Sequence, residues 1–514
     1  MDSNLRFFKG EEWSAEVPLT LEELVTPASQ RIPLEILHDI LHPLRPIFDV
    51  CSPSVLGSSV FSSRQNDFAV YLMDMKHFLS LRFVSRIWNA VMVPIVYEEF
   101  VIPTRFPVMR PVMYGQVPSL LPTLINSGLT NPYGPVHKLV NFLRGDGGLV
   151  DTLADNMKTL MLYDFCHPFS SHDYSDENNL MTRIIKKFQW SDIQTLHCYG
   201  RETYAFRYPG WVQDTLPNLP STIQSLSFDA VDRRTISCAL VDLGSAVQFL
   251  EIRNRSRLWD LDYESLGEAS FHLPTEMPML ETLRLIHIST TLSEFTKLLS
   301  RIGAYPRPSN TADVLHTGGL QSTLRSLMIT QLFVLNEDPH VGGFYAPLTA
   351  VEFSQLLDIN GIADGLTYLY VGPGLYSMSD AFNVIWRPDI VTEIVQKCSR
   401  LISFSYTSIV DESLVDHLPP DLRHISLALR PSLPPSHIIS YLDSLPMFTD
   451  FVKRSLRREQ KLGSLKILVM DQLQRNPGFW RMSFDDVRGL LQSGRSELEK
   501  TCEDGGIELS FDLI

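Results

Sequence analysis

The chain has 514 residues, 44% hydrophobic, 20% charged and 10% aromatic, a composition that excludes a disordered or fibrous protein and suffices for more than one packed unit. Forty-four basic against fifty-nine acidic residues leave a net charge of -15, which works against phosphate backbones and anionic lipid, so no nucleic acid and no membrane are expected as partners. The six cysteines (51, 166, 198, 238, 398, 502) form no CxxC pair, the opening MDSNLRFFKGEEW has no basic region ahead of an apolar one, and no apolar run reaches the ~18 residues of a membrane span, so a soluble cytoplasmic or nuclear protein with free thiols is expected.

Residues 1–30 are polar and acidic without a sustained period and read as a flexible tail. In IPLEILHDILHPL the apolar residues Ile32, Leu34, Ile36, Leu37, Ile40 and Leu41 recur at near-helical spacing behind Pro33, which suits a first helical turn because its missing N–H is not needed there. A Ser-rich stretch follows, and then DMKHFLSLRFVSRIWNAV, read as a second apolar helix, and PIVYEEFVI, a short extended piece. Five prolines between Pro103 and Pro122 mark residues 103–135 as a connector.

From residue 136 to 514 one phrase repeats: an apolar residue, two variable ones, an apolar, a variable, an apolar. It stands at Met157, Ile193, Ile223, Val247, Leu280, Leu324, Leu366, Leu401, Leu422 and Leu465, at intervals of 21 to 44 residues. Amphipathic stretches precede several copies: NNLMTRIIKKF, PDIVTEIVQKC and HIISYLDSL. Helix then strand, repeated, implies an α/β fold in which a parallel sheet grows by stacking, because each strand covers its apolar side chains only against a neighbouring unit. The stretch from Ser483 to the last residue reads as a charged helix and a closing strand that cap the stack.

IPLEILHDIL and LSLRFVSRIWNAVMVPIVYEEFVI resemble the two halves of an F-box, with Pro33, Leu34, Glu35, Val84, Ser85, Arg86, Trp88, Pro94 and Tyr97 in family order. Together with the repeated phrase they resemble the F-box and leucine-rich-repeat proteins abundant in fungi. The resemblance covers residues 31–102, with a Ser-rich insertion at about 43–74 because Pro33 and Trp88 lie 55 apart, and more loosely 136–514, where the repeats lack an asparagine ladder. It implies a small helical F-box module followed by an irregular leucine-rich-repeat solenoid. In that family the module docks on a Skp-type adaptor and through it on a cullin, and the repeats hold a protein to be ubiquitylated. The adaptor contacts implied by position are Ile32, Pro33, Leu34, Ile36, Leu37, Leu81, Val84 and Trp88. The apolar excess of so small a module agrees with a covering partner. An F-box scaffold acting outside ubiquitylation is the alternative.

No phosphate loop, dinucleotide loop or G-x-S-x-G elbow is present, and His38 and His42, four apart on a helix, read as half-exposed helix residues. The chain is therefore expected to be non-catalytic, without metal or cofactor. Strand alternation turns the variable residues of each phrase away from the core. Tyr199, Phe249, Glu251, Arg253, Arg284, Tyr368 and Tyr370 are accordingly expected on an exposed concave face, where aromatic and arginine side chains make good cargo anchors.

Overall fold

The computed structural model describes residues 33–46, 74, 77, 78, 80, 81, 84–103, 155–163, 192–199, 222–229, 236, 239–241, 243–253, 276–286, 288–306, 320–330, 332–335, 345–372, 386, 388–407, 412–429, 444–469 and 495–513. They fall into two compact units, one holding the described residues up to Leu243 and the other those from Gly244 onward.

The first unit opens with α1, Leu34–Leu41, behind an extended Pro33, and runs into a 3-10 turn, His42–Leu44. One face of α1 buries Leu37 and Leu41 with Phe78, Val91, Met92 and Ile95, and Leu34, Leu81, Ile87, Trp88 and Val96 pack around them. The second apolar stretch is not one continuous helix. Ser85 is extended, with φ -162 and ψ 167, and its hydroxyl accepts from the Trp88 N–H at 3.2 Å, so it caps a new helix α2, Arg86–Tyr97. α2 carries Pro94 inside it and ends at Glu98. The next residues, which belong to the segment assigned to the helical module, are a strand, β1 (Glu99–Pro103). It pairs in parallel with β2 (Thr159–Tyr163), β2 with β3 (Thr195–Tyr199) and β3 with β4 (Ser225–Asp229). The boundary drawn at residue 102 therefore falls inside a sheet strand. The tail 1–30, most of the insertion and residues 104–135 lie outside the described residues.

The second unit contains, in chain order, β5 (Phe249–Arg253), β6 (Thr282–Ile286), β7 (Ser289–Thr291), β8 (Ala304–Pro306), β9 (Leu320–Ser322), β10 (Ser326–Thr330), β11 (Phe333–Leu335), β12 (Tyr345–Pro347), β13 (Tyr368–Gly372), β14 (Ser403–Tyr406), β15 (His424–Leu429), β16 (Ser464–Val469) and β17 (Glu508–Leu513). Its main sheet is parallel, in the order β5-β6-β10-β13-β14-β15-β16-β17. β7, β11 and β12 form one small sheet and β8 and β9 another. Between the main strands run α3 (Leu292–Ser300), α4 (Ala350–Leu356), α5 (Ile362–Gly365), α6 (Pro388–Lys397), α7 (Ser444–Arg457) and a helix over 495–504. This is the expected α/β fold with a large parallel sheet.

Each of the ten phrases carries a strand, and the phrase explains why. Its first apolar residue sits in the turn before the strand and is buried in every copy that begins Met157, Ile193, Ile223, Val247, Leu280, Leu324, Leu366, Leu401 or Leu422. In the last copy that place belongs to Leu462, with Leu465 and Ile467 as the inward strand residues, so the phrase starts three residues earlier than the apolar spacing suggested. Between first and second apolar residues the backbone forms a ladder. The Glu281 carbonyl accepts from the N–H groups of Arg325 and Ser326, the Arg325 carbonyl from Thr367 and Tyr368, the Thr367 carbonyl from Ile402 and Ser403, and the Ile402 carbonyl from Arg423 and His424. One carbonyl thus satisfies two donors of the next repeat, which keeps successive strands in register.

Helix ends are fixed by short polar residues. Thr291 caps α3 through the Glu294 N–H, and Thr349 and Glu352 form a reciprocal capping box on α4. Asn360 takes φ 52 before α5, a left-handed geometry that asparagine tolerates, and its carboxamide donates to the carbonyls of Ser300 and Ile302. Polar clasps join one crossover to the next: Lys397 to Asp358 at 3.0 Å, Arg458 to Asp416 at 2.9 Å and Lys453 to Glu497 at 2.8 Å. Each is partly exposed and adds little stability alone.

Candidate functional site

α1 has two apolar faces. The first, Leu34, Leu37 and Leu41, belongs to the core of the helical module. The second, Ile36, Ile40 and Leu44, lies on the outward side and is 51%, 49% and 59% exposed, while Val84, just before α2, is 61% exposed. Residues four apart on a helix stack on one side, so Ile36 and Ile40, continued by Leu44, form a stripe that folding leaves in water. Among the positions expected to touch an adaptor, Pro33, Ile36 and Val84 are exposed, Leu34, Leu81 and Trp88 are half-buried against the module's own core, and Leu37 is buried in it. Leu37 therefore supports the surface from beneath and is not available for contact. Ile32 lies outside the described residues. Ile40 and Leu44 are the members of the surface that the family pattern did not supply, although the helical spacing of Ile36 and Ile40 was legible.

Glu98 joins the helices to the sheet. Its carboxylate accepts from His42 Nε2 at 3.1 Å, Arg45 Nη1 at 3.0 Å and Lys158 Nζ at 3.0 Å, and its backbone carbonyl accepts from the Lys158 and Thr159 N–H groups. Burial works against its charge, but the Lys158 hydrogen bond, the Arg45 and Lys158 charges and the His42 contact together outweigh that and hold the carboxyl below its ordinary 4.5. His38 and His42 stack with ring centroids 5.3 Å apart. Among the described residues no group of three or more His, Cys, Asp or Glu is placed to hold a metal ion.

The strand face tells a different story from the one alternation suggested. Register aligns Glu251, Arg284, Met328, Tyr370 and Ser405 in one row, with Phe249, Thr282, Ser326 and Tyr368 in the row before it. Most of the first row is buried: Glu251 is 0% and Arg253, two residues on, 3% exposed, and Met328 and Tyr370 are buried against Ile286. Glu251 lies 3.7 Å from Arg284 and 3.9 Å from Arg253, and the Arg284 guanidinium sits over the Phe249 ring at 5.2 Å. Charges removed from water persist only in one another's company, so Glu251 and Arg253 are interior groups and the expectation of an exposed central patch is corrected. Phe249, Arg284 and Tyr368 keep partial exposure. Tyr199 ends β3, beside Tyr163 and Asp229 in register.

The same face opens at the far end of the sheet. His424 and Glu508 are exposed and Ser426, Ser464 and Ser510 half-buried, with His424 Nδ1 and Ser464 Oγ 2.8 Å apart. These residues occupy the same variable positions of the phrase as Phe249 and Glu251 and were passed over because the search for anchors favoured aromatic and arginine side chains.

The thiols of Cys198, Cys398 and Cys502 are free and buried, and burial pushes all three up, Cys398 to about 12 and Cys502 to about 11. No described helix is long and apolar enough to cross a membrane. No protein-family model matches the chain, and no curated protein matches it.

Proposed function

We propose that the chain is a non-catalytic substrate receptor of a cullin-type ubiquitin ligase, its helical segment an F-box and its strand repeats an irregular leucine-rich-repeat solenoid. The observation that carries the proposal is the second apolar face of α1. Ile36, Ile40 and Leu44 stay exposed while Leu37, Leu41, Val91, Met92 and Ile95 are buried beside them, and exposed apolar stripes of this kind are sites for a partner. The order of Pro33, Leu34, Val84 and Trp88 points to a Skp-type adaptor as that partner. The chain's role is to bring a bound protein close to a ubiquitin-charged enzyme held on other subunits, so no chemistry is asked of its own residues.

Cargo binding belongs on the open part of the strand face, around His424, Ser464, Glu508 and Ser510, rather than on buried Glu251 and Arg253. The test is affinity purification of the tagged full chain with mass spectrometry. Recovery of adaptor and cullin together supports the receptor; adaptor without cullin favours the scaffold acting outside ubiquitylation; neither refutes the F-box reading. Replacing His424 with Ala and Glu508 with Lys should deplete recovered cargo and spare the adaptor.

A further inference from the structure

Two arginines of the second unit meet at one amide oxygen. Tyr305 of β8 and Gln321 of β9 stand opposite each other in the small antiparallel pair, which makes their side chains neighbours. Gln321 is 1% exposed, and with its amide nitrogen toward the arginines it would meet only donors there, so its oxygen faces them. That oxygen accepts from Arg325 Nη1 at 3.0 Å and from Arg400 Nη1 at 2.5 Å, and this orientation gives up only a long 3.3 Å bond to the Asp364 carbonyl. Arg325, in the turn before β10, also donates to the Gly365 carbonyl at 3.1 Å and to the Tyr305 hydroxyl, with its guanidinium 5.7 Å from the Tyr305 ring centre. Arg400 reaches the same point from the turn before β14. The floor beneath them is stiff. Gly365 packs so closely on the Ser322 and Leu324 carbonyls that a Cβ has no room, and the Thr323 N–H donates to the Gly303 carbonyl at 2.8 Å.

Charge sets this cluster apart. Among the described residues the ion pairs of the second unit use other bases, and neither Arg325 nor Arg400 takes part in one. Arg325 and Tyr305 are half-buried and Arg400 is exposed. One arginine satisfies the Gln321 oxygen, two like charges on one atom repel, and an exposed arginine can turn its head into water instead. An anion in front of both guanidinium groups converts that repulsion into attraction. We propose that Arg325, Arg400 and Tyr305 form a binding site for a phosphoryl dianion, as free phosphate or as a phosphate monoester. Guanidinium forks match phosphate oxygens two at a time, and two positive charges suit a dianion better than a single carboxylate. The Tyr305 hydroxyl accepts from Arg325 and keeps its own proton to donate to a further oxygen. The site lies at the turns that precede β10 and β14, not at the variable positions of the strand face, so it does not depend on the cargo reading above. Its ligand would tie together two turns that flank the turn before β13.

The test is equilibrium dialysis of the purified full chain against inorganic phosphate and, separately, phenyl phosphate, at constant ionic strength so that screening is the same throughout. Wild type should bind one equivalent of at least one of them at millimolar concentration. Arg400→Ala, at an exposed position where folding is not at stake, should weaken binding about tenfold, and Arg400→Lys should fall in between because it keeps the charge and loses the fork. Tyr305→Phe should weaken it about threefold. Lys500→Ala, which removes an exposed charge from the helix over 495–504, should leave it unchanged. Each variant is checked for unchanged circular dichroism. Tighter binding of phenyl phosphate supports the site as one for a monoester, and equal or tighter binding of inorganic phosphate supports it as one for free phosphate. Failure of wild type to bind either, binding that Arg400→Ala leaves unchanged, or equal weakening by Lys500→Ala overturns the proposal.

Discussion

Replacing Glu98 with Ala should loosen the helical module from β1 and β2 without unfolding the rest of the chain. The Arg45 guanidinium is nearly buried, 12% exposed, and its Nε has no hydrogen-bond partner, so the 3.0 Å contact with Glu98 Oε2 is its principal compensation. Losing a charged hydrogen bond of that kind costs about 2 kcal/mol. Lys158 and His42 are 55% and 43% exposed, and solvent screening leaves each contact about 0.5 kcal/mol. The loss is then about 3 kcal/mol, or roughly a hundredfold in a local opening equilibrium. Because the chain has two compact units, a single melting temperature does not isolate this effect, and native-state hydrogen exchange read by peptide is the suitable assay. Protection over 34–45 and 86–97 should fall by about two orders of magnitude while β13 to β16 keep theirs, with Glu98→Gln in between because it retains an acceptor but no charge. The sign with pH follows from the lowered carboxyl value: its stabilisation is present above the ordinary 4.5 and is lost as pH falls through the depressed value, so the gap between wild type and Glu98→Ala should narrow as pH falls below 4.5. Unchanged exchange over 34–45 in Glu98→Ala would refute the assignment of the joint to this carboxylate.

Ser85→Ala should cost about 1 kcal/mol by removing the acceptor for the Trp88 N–H, seen as faster exchange of the first turn of α2 and not of α1. Gly365→Ala should destabilise the second unit by about 2 kcal/mol or more, since a Cβ there would stand 2.7 Å from the Leu324 carbonyl oxygen and 2.8 Å from that of Ser322, backbone that cannot rotate away; an unchanged denaturation midpoint for that unit contradicts it. Cys398 and Cys502 should resist iodoacetamide at about pH 8 in the native protein and react once it is unfolded, because burial and raised pKa remove the thiolate; rapid native labelling of Cys398 would show that its surroundings open.

The repeated phrase was legible because it encodes a local requirement. A strand whose second and third apolar residues point inward needs a first apolar residue in the preceding turn, and Leu280, Leu283 and Leu285 or Leu366, Leu369 and Val371 meet that requirement within six residues. The burial of Glu251 and Arg253 was not legible, because alternation gives the face of a side chain and not whether that face is covered, which depends on residues distant in sequence. The break at Ser85 was available in principle: a serine followed three residues later by a donor N–H at the start of an apolar run is a cap, but helical spacing on both sides masked it. Glu98 escaped notice for a related reason. Its partners His42 and Arg45 are more than fifty residues away, and nothing in their spacing announces the contact. The short strands β7 to β9, β11 and β12 carry no phrase and pair among themselves in two small sheets.

Side-chain footprinting of the full chain with and without a Skp-type adaptor tests the docking surface most directly, since the molecule contains its own controls. Ile36, Ile40, Leu44 and Val84 are exposed apolar residues of the helical module, and Met279, Val351 and Ile402 are exposed apolar residues of the second unit. Adaptor should strongly reduce modification of the first group and leave the second unchanged. Equal modification of Ile36, Ile40 and Leu44 with and without bound adaptor, or protection confined to Met279, Val351 and Ile402, would contradict the assignment of α1 as the docking helix.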